Sequence, residues 1–311
     1  MTAPSFENVA IMGAGAVGCY FGSVLASAGA NVRLIGRSSL VDAVARDGLR
    51  FESSGFTKSI AVQAATDPAG VAGAGLVLFS VKSPDTEEAA RAMAPHLAPG
   101  AVVISLQNGV DNVERLRALI ATVVVPAVVY VAAEIVAPGV VRHNGRGDLI
   151  VGEFGAPQAG DALIAKLPTH LTGANIPTRI SDNVEGELWW KLILNCAYNA
   201  VSALGRSRYG PMRAMPQVRH VMADAVHEIL ALADAKGVRI AMPDPVEATL
   251  RFGDFMPDAI SSTAQDLERG RLTEIDYLNG YVVRECEARG LPAPVNRTLL
   301  ALVKLLERGQ A

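Results

Sequence analysis

Through the first half of the chain, runs of valine and isoleucine alternate with amphipathic segments. The alternation has the spacing of strand–helix–strand units with a parallel sheet. Residues 9–12 read as a strand, followed by a glycine turn and a helix over 16–28 that stops at Gly29. Residues 31–35 form the second strand, and 75–81 and 101–106 read as further buried strands. Between them, 49–63 reads as an antiparallel hairpin turning at Ser53-Ser54-Gly55, and 123–131, 140–142 and 149–151 add later strands. After about residue 182 the period becomes helical, as in 218–236 and 274–289, which end at Gly237 and Gly290. The expected class is α/β, with a Rossmann-like doubly wound sheet over 1–182 and an all-α domain over 183–311.

One helical stretch breaks the apolar pattern in an ordered way. Between Trp189 and Val201 nearly every position is apolar except Lys191, Asn195 and Asn199. The spacing i, i+4, i+8 stacks these three along one helix face. Burying a lysine in such surroundings is costly and favours release of its proton, which suits a general acid near neutral pH. The alternative is a lysine that snorkels to water beside a solvated asparagine face. The flanks carry too little polarity to form such a face, so the stripe looks into water, a cleft or a partner. The helix opens the second domain, at a junction where ligand clefts commonly form.

The turn after the first strand reads Gly13-Ala14-Gly15-Ala16-Val17-Gly18 and fits G-x-G-x-x-G. The first glycine permits the tight turn, the second lets the backbone approach a pyrophosphate, and the third allows close helix packing. With Ala16 and Val17 opening the helix, main-chain amides are supplied to the phosphates. A glycine turn of purely structural use is the alternative. At the end of the second strand, an NAD site would place a carboxylate for the ribose 2′-hydroxyl. This chain has Ile35-Gly36-Arg37-Ser38 instead, and the guanidinium of Arg37 can pair with a 2′-phosphate. The alternative is an ordinary surface arginine after a strand; NADPH over NADH is the expectation.

Two further signals fall at carboxyl ends of strands, where doubly wound sheets bind ligands. Lys82 can screen a phosphate or carboxylate, and Asn108, in Gln107-Asn108-Gly109, can hydrogen-bond nicotinamide or substrate. A loop lysine and an Asn-Gly turn are the ordinary uses of these residues. In the second domain, Ser262 with Gln265 and Thr273 with Asp276 have capping-box spacing. Glu274 in a helical first turn would be favoured by the helix dipole alone.

Composition narrows the classes. Of 311 residues, 50% are hydrophobic and 19% charged, so a large core is available and disorder is not the default. A net charge of −3 and the lack of any Lys/Arg run argue against a nucleic-acid partner. Cys19, Cys196 and Cys286 are far apart and suit a reducing compartment, each as a small hydrophobe. His96, His143, His170, His220 and His227 are scattered, so no metal is expected. The most membrane-like run, 118–133, contains Thr122 and Pro126 and is too short to span. With no signal-peptide pattern before Gly13, a soluble cytoplasmic protein is expected. The apolar helical domain is compatible with a homodimer.

Taken in order, these residues resemble the ketopantoate reductase (2-dehydropantoate 2-reductase) family over nearly the whole chain. The resemblance runs from Gly13–Gly18 through Lys82, Gln107-Asn108-Gly109 and Trp190-Lys191…Asn195…Asn199. It continues to Ser261-Ser262…Gln265-Asp266 and Thr273-Glu274-Ile275-Asp276. It implies a helical domain like the C-terminal domain of 6-phosphogluconate dehydrogenase, and NADPH-dependent reduction of a 2-oxo acid to a 2-hydroxy acid, with 2-dehydropantoate to pantoate the expected pair. Lys191 and Glu274 would be the catalytic residues, Lys191 as general acid and Glu274 near the reacting oxygen. Asn195, Asn199, Ser262 and Asn108 would hold substrate; Gly13, Gly15, Ala16, Val17, Gly18, Arg37, Lys82 and Asn108 would hold cofactor. The chain departs from some family members at Gly205-Arg206-Ser207-Arg208-Tyr209, where an asparagine contact is missing or replaced. The alternatives are a β-hydroxyacid dehydrogenase, whose Lys-x-x-x-Asn pair is similar, a paralogue acting on another 2-oxo acid, and a nucleotide sensor without chemistry.

Overall fold

The computed structural model describes residues 6–154 and 161–309, which divide into two compact units. The first runs to Gln107 and resumes from Asp111 to Val184; the second comprises Asn108–Val110 and the chain from Glu185 onward.

The first unit is built on ten strands. These are β1 (Asn8–Met12), β2 (Asn31–Ile35), β3 (Leu49–Ser53), β4 (Phe56–Ile60), β5 (Gln63–Ala65), β6 (Leu76–Phe79), β7 (Val102–Ser105), β8 (Val123–Ala137), β9 (Val140–Gly152) and β10 (Thr178–Ser181). Its helices are α1 (Ala16–Ser27), α2 (Ser38–Asp47), α3 (Thr86–Met93), α4 (Asn112–Arg117), α5 (Asp161–Ile164) and α6 (Leu167–Gly173).

The strands lie in the order β4-β3-β9-β8-β7-β6-β1-β2-β5, with β10 pairing β9. From β5 to β8 every neighbouring pair is parallel. The chain winds from β1 outward to β2 and β5, then returns to β6 on the other side of β1, so the direction of winding reverses between β1 and β6. That reversal creates the crevice in which doubly wound sheets take ligands. The strands form because their residues are apolar on both faces: Leu76–Phe79 and Val102–Ser105 are buried throughout. Each such valine or leucine side chain contributes about 1.5–3 kcal/mol on burial.

Beyond the parallel core, β8 and β9 form one long antiparallel ladder rather than the short separate strands that periodicity suggests. The segment His143-Asn144-Gly145-Arg146-Gly147 has loop composition, yet it stays in the ladder through register shifts. Gly145, Arg146 and Gly147 all take positive φ there. At Gly147 a side chain would collide with the Tyr20 ring.

The second unit is helical among its described residues: α7 (Val184–Gly205), α8 (Tyr209–Ala214), α9 (Pro216–Ala235), α10 (Pro245–Phe255), α11 (Ser262–Glu268), α12 (Asn279–Glu287) and α13 (Pro294–Arg308). Buried polar side chains cross-link it around α7. Asn279 donates to the Cys196 carbonyl at 3.2 Å and to Asn296 at 2.9 Å, and Asn296 donates to Glu228 at 2.7 Å. The Tyr198 hydroxyl donates to the Thr249 carbonyl and accepts from the Gly253 amide. All three cysteines are buried, and burial pushes the Cys19 thiol up to about 12. No described helix is long and apolar enough to cross a membrane.

The expected helix over 274–289 is shorter in the structure. Residues 275–277 form a single 3₁₀ turn, and α12 begins at Asn279 after Leu278 leaves helical geometry. The turn is tied to α13 by side chains, an influence that a local periodicity cannot register.

Candidate active site

The glycine turn is fixed by the strands beside it. Gly13 and Ala14 both donate to the Ile35 carbonyl at the end of β2, and the Ser80 hydroxyl, just past β6, donates to the Gly13 carbonyl at 2.8 Å. Gly13 sits at φ +99, and a Cβ there would press on the backbone of Ser80 and Val81, 2.7 Å from the Ser80 carbonyl carbon. At Gly18 a Cβ would lie 2.6 Å from the Ser80 hydroxyl and 2.7 Å from an Ile11 methyl. Both positions therefore need glycine for internal reasons.

Gly15 differs. A side chain there would meet no heavy atom within 4 Å, so nothing in the fold requires glycine at that point. Gly15 is the N-cap of α1, and the first-turn amides, Ala16 to Gly18, have no acceptor within the helix. This is the arrangement a pyrophosphate fits: donors in a row, and a bare backbone where it must approach. Arg37, at the N-cap of α2, is exposed; its carbonyl accepts from the Leu40 and Val41 amides, while its guanidinium has no hydrogen bond or ion pair among the described residues. No carboxylate stands at the end of β2, so the residues present suit a 2′-phosphate.

Lys82 caps the 3₁₀ turn Ser83–Asp85 and is half-buried. A buried polar network holds the backbone on both sides of it. Gln107 donates to the Val81 carbonyl at 3.1 Å and to Thr86 at 2.7 Å. Arg115 donates to the Ser83 carbonyl at 2.7 Å while pairing both oxygens of Glu87, and the Arg115 guanidinium holds the Glu87 carboxyl below its ordinary range. The sequence motif included Gln107 without giving it this task. Its position beside Asn108 was the only signal.

In the second unit, Lys191, Asn195 and Asn199 lie on successive turns of α7, as their spacing requires. Lys191 and Asn195 are half-buried and Asn199 is buried. The side-chain amide nitrogen of Asn195 is buried with no hydrogen-bond partner among the described residues. Such a group costs about 1–3 kcal/mol unless something accepts its protons. One turn further on, the Ser261 hydroxyl donates to the Asn199 carbonyl at 3.0 Å and accepts from the Ala264 amide. Ser261, rather than Ser262, is therefore the cap of α11, and Ser262 is exposed beside it. The expected capping box does not form: the cap lies one residue earlier, since two adjacent serines are equivalent in a local pattern, and Ala264 at N3 has no side chain to return the bond while Gln265 donates to the Ile260 carbonyl. The second expected box is absent too: the Thr273 hydroxyl accepts from Ile275 and donates to Glu307.

Asn108 belongs to the second unit, and there it meets Glu274. Its amide donates to the carboxylate at 3.3 Å, across a sequence separation of 166 residues. The predicted site residues thus fall into two sets. Gly13 to Gly18, Arg37 and Lys82 belong to the first unit, and Asn108, Lys191, Asn195, Asn199, Ser262 and Glu274 to the second.

Comparison with known proteins gives a consistent result. The family model for ketopantoate reductase PanE/ApbA matches residues 9–156, and that for ketopantoate reductase PanE/ApbA C terminal matches 183–307. A 2-dehydropantoate 2-reductase of Halobacterium salinarum is 34% identical over 305 residues, covering 97% of this chain and 99% of that one. The crystal structure of a PanE/ApbA family ketopantoate reductase from Ralstonia eutropha JMP134 superposes with a TM-score of 0.91 at 50% identity, covering 97% and 99% of the two chains. D-mandelate dehydrogenase, solved with NADH and anilino(oxo)acetate, also reaches 0.91 over 97% and 99%. At 23% identity that likeness is one of fold.

Proposed function

Because this chain belongs to the ketopantoate reductase family, we propose that it reduces 2-dehydropantoate to pantoate with NADPH, using Lys191 as general acid. The observation that carries the site is the polar stripe of α7, where a buried, unpartnered Asn195 amide lies one turn from Lys191. An interior donor without an acceptor is costly, and a substrate oxygen would satisfy it.

Gly13 to Gly18 and the start of α1 would hold the pyrophosphate, Lys82 would add positive charge, and Arg37 would pair with the 2′-phosphate. NADPH so bound supplies the hydride. The chain's own residues do the rest. The Lys191 ammonium would sit on the C2 oxygen, stabilise negative charge developing there and hand over a proton. Asn195 and Asn199 would orient the substrate along the same helix face, with Ser262 holding a further polar group. Glu274, steadied by the Asn108 amide, would contact the substrate near the reacting oxygen. A carboxylate that already accepts one hydrogen bond is restricted to fewer orientations, which favours a reactive pose.

A panel of 2-oxo acids, assayed with NADPH and with NADH, and of 3-hydroxy acids, assayed with NADP⁺, tests the reading. The highest kcat/KM is expected with 2-dehydropantoate and NADPH, and Arg37→Asp should cut the preference for NADPH over NADH by at least about tenfold, the worth of one charge-assisted contact. Turnover confined to 3-hydroxy acids with NADP⁺, or an Arg37→Asp effect equal for both cofactors, would contradict it.

A further inference from the structure

Glu274 sits in a short turn that has little hold of its own. Residues 275–277 make a single 3₁₀ turn with Glu274 as its N-cap, and the cap makes no side-chain hydrogen bond to the helix. Its backbone bonds run from Tyr277 to the Glu274 carbonyl and from Leu278 to the Ile275 carbonyl, and one such turn is not stable by itself.

The hold comes from α13, more than thirty residues later. Glu307 is buried, and one of its oxygens accepts from both the Thr273 amide, at 2.9 Å, and the Thr273 hydroxyl, at 2.7 Å. The same hydroxyl accepts from the Ile275 amide at 3.2 Å. Glu274 is the residue between these two anchored amides. On its other side, Lys304 pairs with Asp276 at 2.6 Å and with the second oxygen of Glu307 at 2.9 Å. Arg284 of α12 also donates to the Asp276 carbonyl at 2.8 Å. Burial alone would raise the Glu307 carboxyl, but hydrogen bonds from Lys304 and Thr273 outweigh it and hold the group below its ordinary range. The accepting oxygen has two lone pairs, enough for both Thr273 donors, and the ion pair with Lys304 holds the other oxygen.

We propose that Glu307, braced by Lys304, is a positioning residue for the reaction: it fixes the Thr273–Ile275 backbone and so aims the Glu274 carboxylate. The inference rests on the role given above to Glu274. Nothing in the Thr-Glu-Ile-Asp motif points to it, because Glu307 lies on an amphipathic helix near the end of the chain, where an acidic residue reads as ordinary surface.

Kinetics with 2-dehydropantoate on Glu307→Met, Glu307→Gln, Glu274→Gln and the double variant Glu307→Met/Glu274→Gln decide the matter, with thermal unfolding recorded for each. Glutamine keeps an oxygen for both Thr273 donors, whereas methionine removes it at similar volume. Glu307→Met is expected to lower kcat/KM by about tenfold, and Glu307→Gln by less than about twofold, because coupling passes through the acceptor. In the Glu274→Gln background, Glu307→Met should add less than about twofold, the signature of two residues acting through one contact. If Glu307→Met fails to fold, Thr273→Val replaces it, removing the hydroxyl while leaving the amide bond, and the same non-additivity is expected.

Equal losses from Glu307→Met in both backgrounds would mean a general structural role and overturn the proposal. So would unchanged kinetics in Glu307→Met beside an impaired Glu274→Gln, which would leave the function of Glu274 standing. An unimpaired Glu274→Gln would instead remove the reading on which the proposal rests.

Discussion

The glycines of the turn after β1 have separable demands, and each can be measured. Gly13 and Gly18 are required by the protein's own backbone and side chains, whereas Gly15 faces no neighbour. Gly13→Ala combines a positive φ with a collision against main chain and should cost about 1–3 kcal/mol or more in denaturant unfolding. Gly15→Ala should cost about 1 kcal/mol or less, the difference between glycine and alanine at an N-cap, yet weaken NADPH in a binding titration. Equal stability losses, or a Gly15→Ala protein with unaltered NADPH affinity, would contradict the assignment. At this scale the sequence was most informative where a residue type has a single physical use. Gly13 and Gly18, which the surrounding backbone and side chains require, are of that kind. It was least informative where neighbours are chemically alike, as with Ser261 and Ser262, or where a contact spans the chain, as between Thr273 and Glu307.

Among the elements, the parallel strands were legible because burial on both faces leaves uninterrupted apolar runs. The short edge strands β5 and β10, of three and four residues, carry too few positions to show a period. The β8–β9 ladder was read in pieces because Gly145-Arg146-Gly147 has the composition of a turn. The start of α12 was placed too early because the preceding turn answers to α13. One element also carries a pH dependence. His170, in α6, packs edge-on against Phe6 with ring centroids 5.0 Å apart, and its Nε2 is buried without a partner among the described residues. Burial holds its imidazole below the ordinary value of 6.5, against a smaller upward pull from the Phe6 backbone. The unfolded chain therefore binds the proton first, so stability is intact above the unfolded value and falls as pH drops below it. The melting temperature of the native protein should decline more steeply between about pH 7 and pH 5 than that of His170→Leu, since only the former must force a proton onto a buried ring. Parallel slopes would show that His170 is not responsible.

For the whole molecule, the sequence separates a strand-rich part from a helical part, and the structure has two compact units with Asn108–Val110 counted in the second. Their membership divides the proposed chemistry. The dinucleotide fingerprint, Arg37 and Lys82 belong to one unit, and Lys191, Asn195, Asn199, Ser262 and Glu274 to the other. That division makes the two activities separable in a single variant. Lys191→Ala leaves every proposed dinucleotide contact in place and removes only the proton donor. The most direct test of the account measures NADPH affinity and 2-dehydropantoate turnover on the native protein and on Lys191→Ala. The expected result is unchanged NADPH binding with turnover reduced by at least about a hundredfold, the usual contribution of one general acid. Turnover close to that of the native protein would contradict the account, because the reaction would then proceed without the residue assigned to protonate its product.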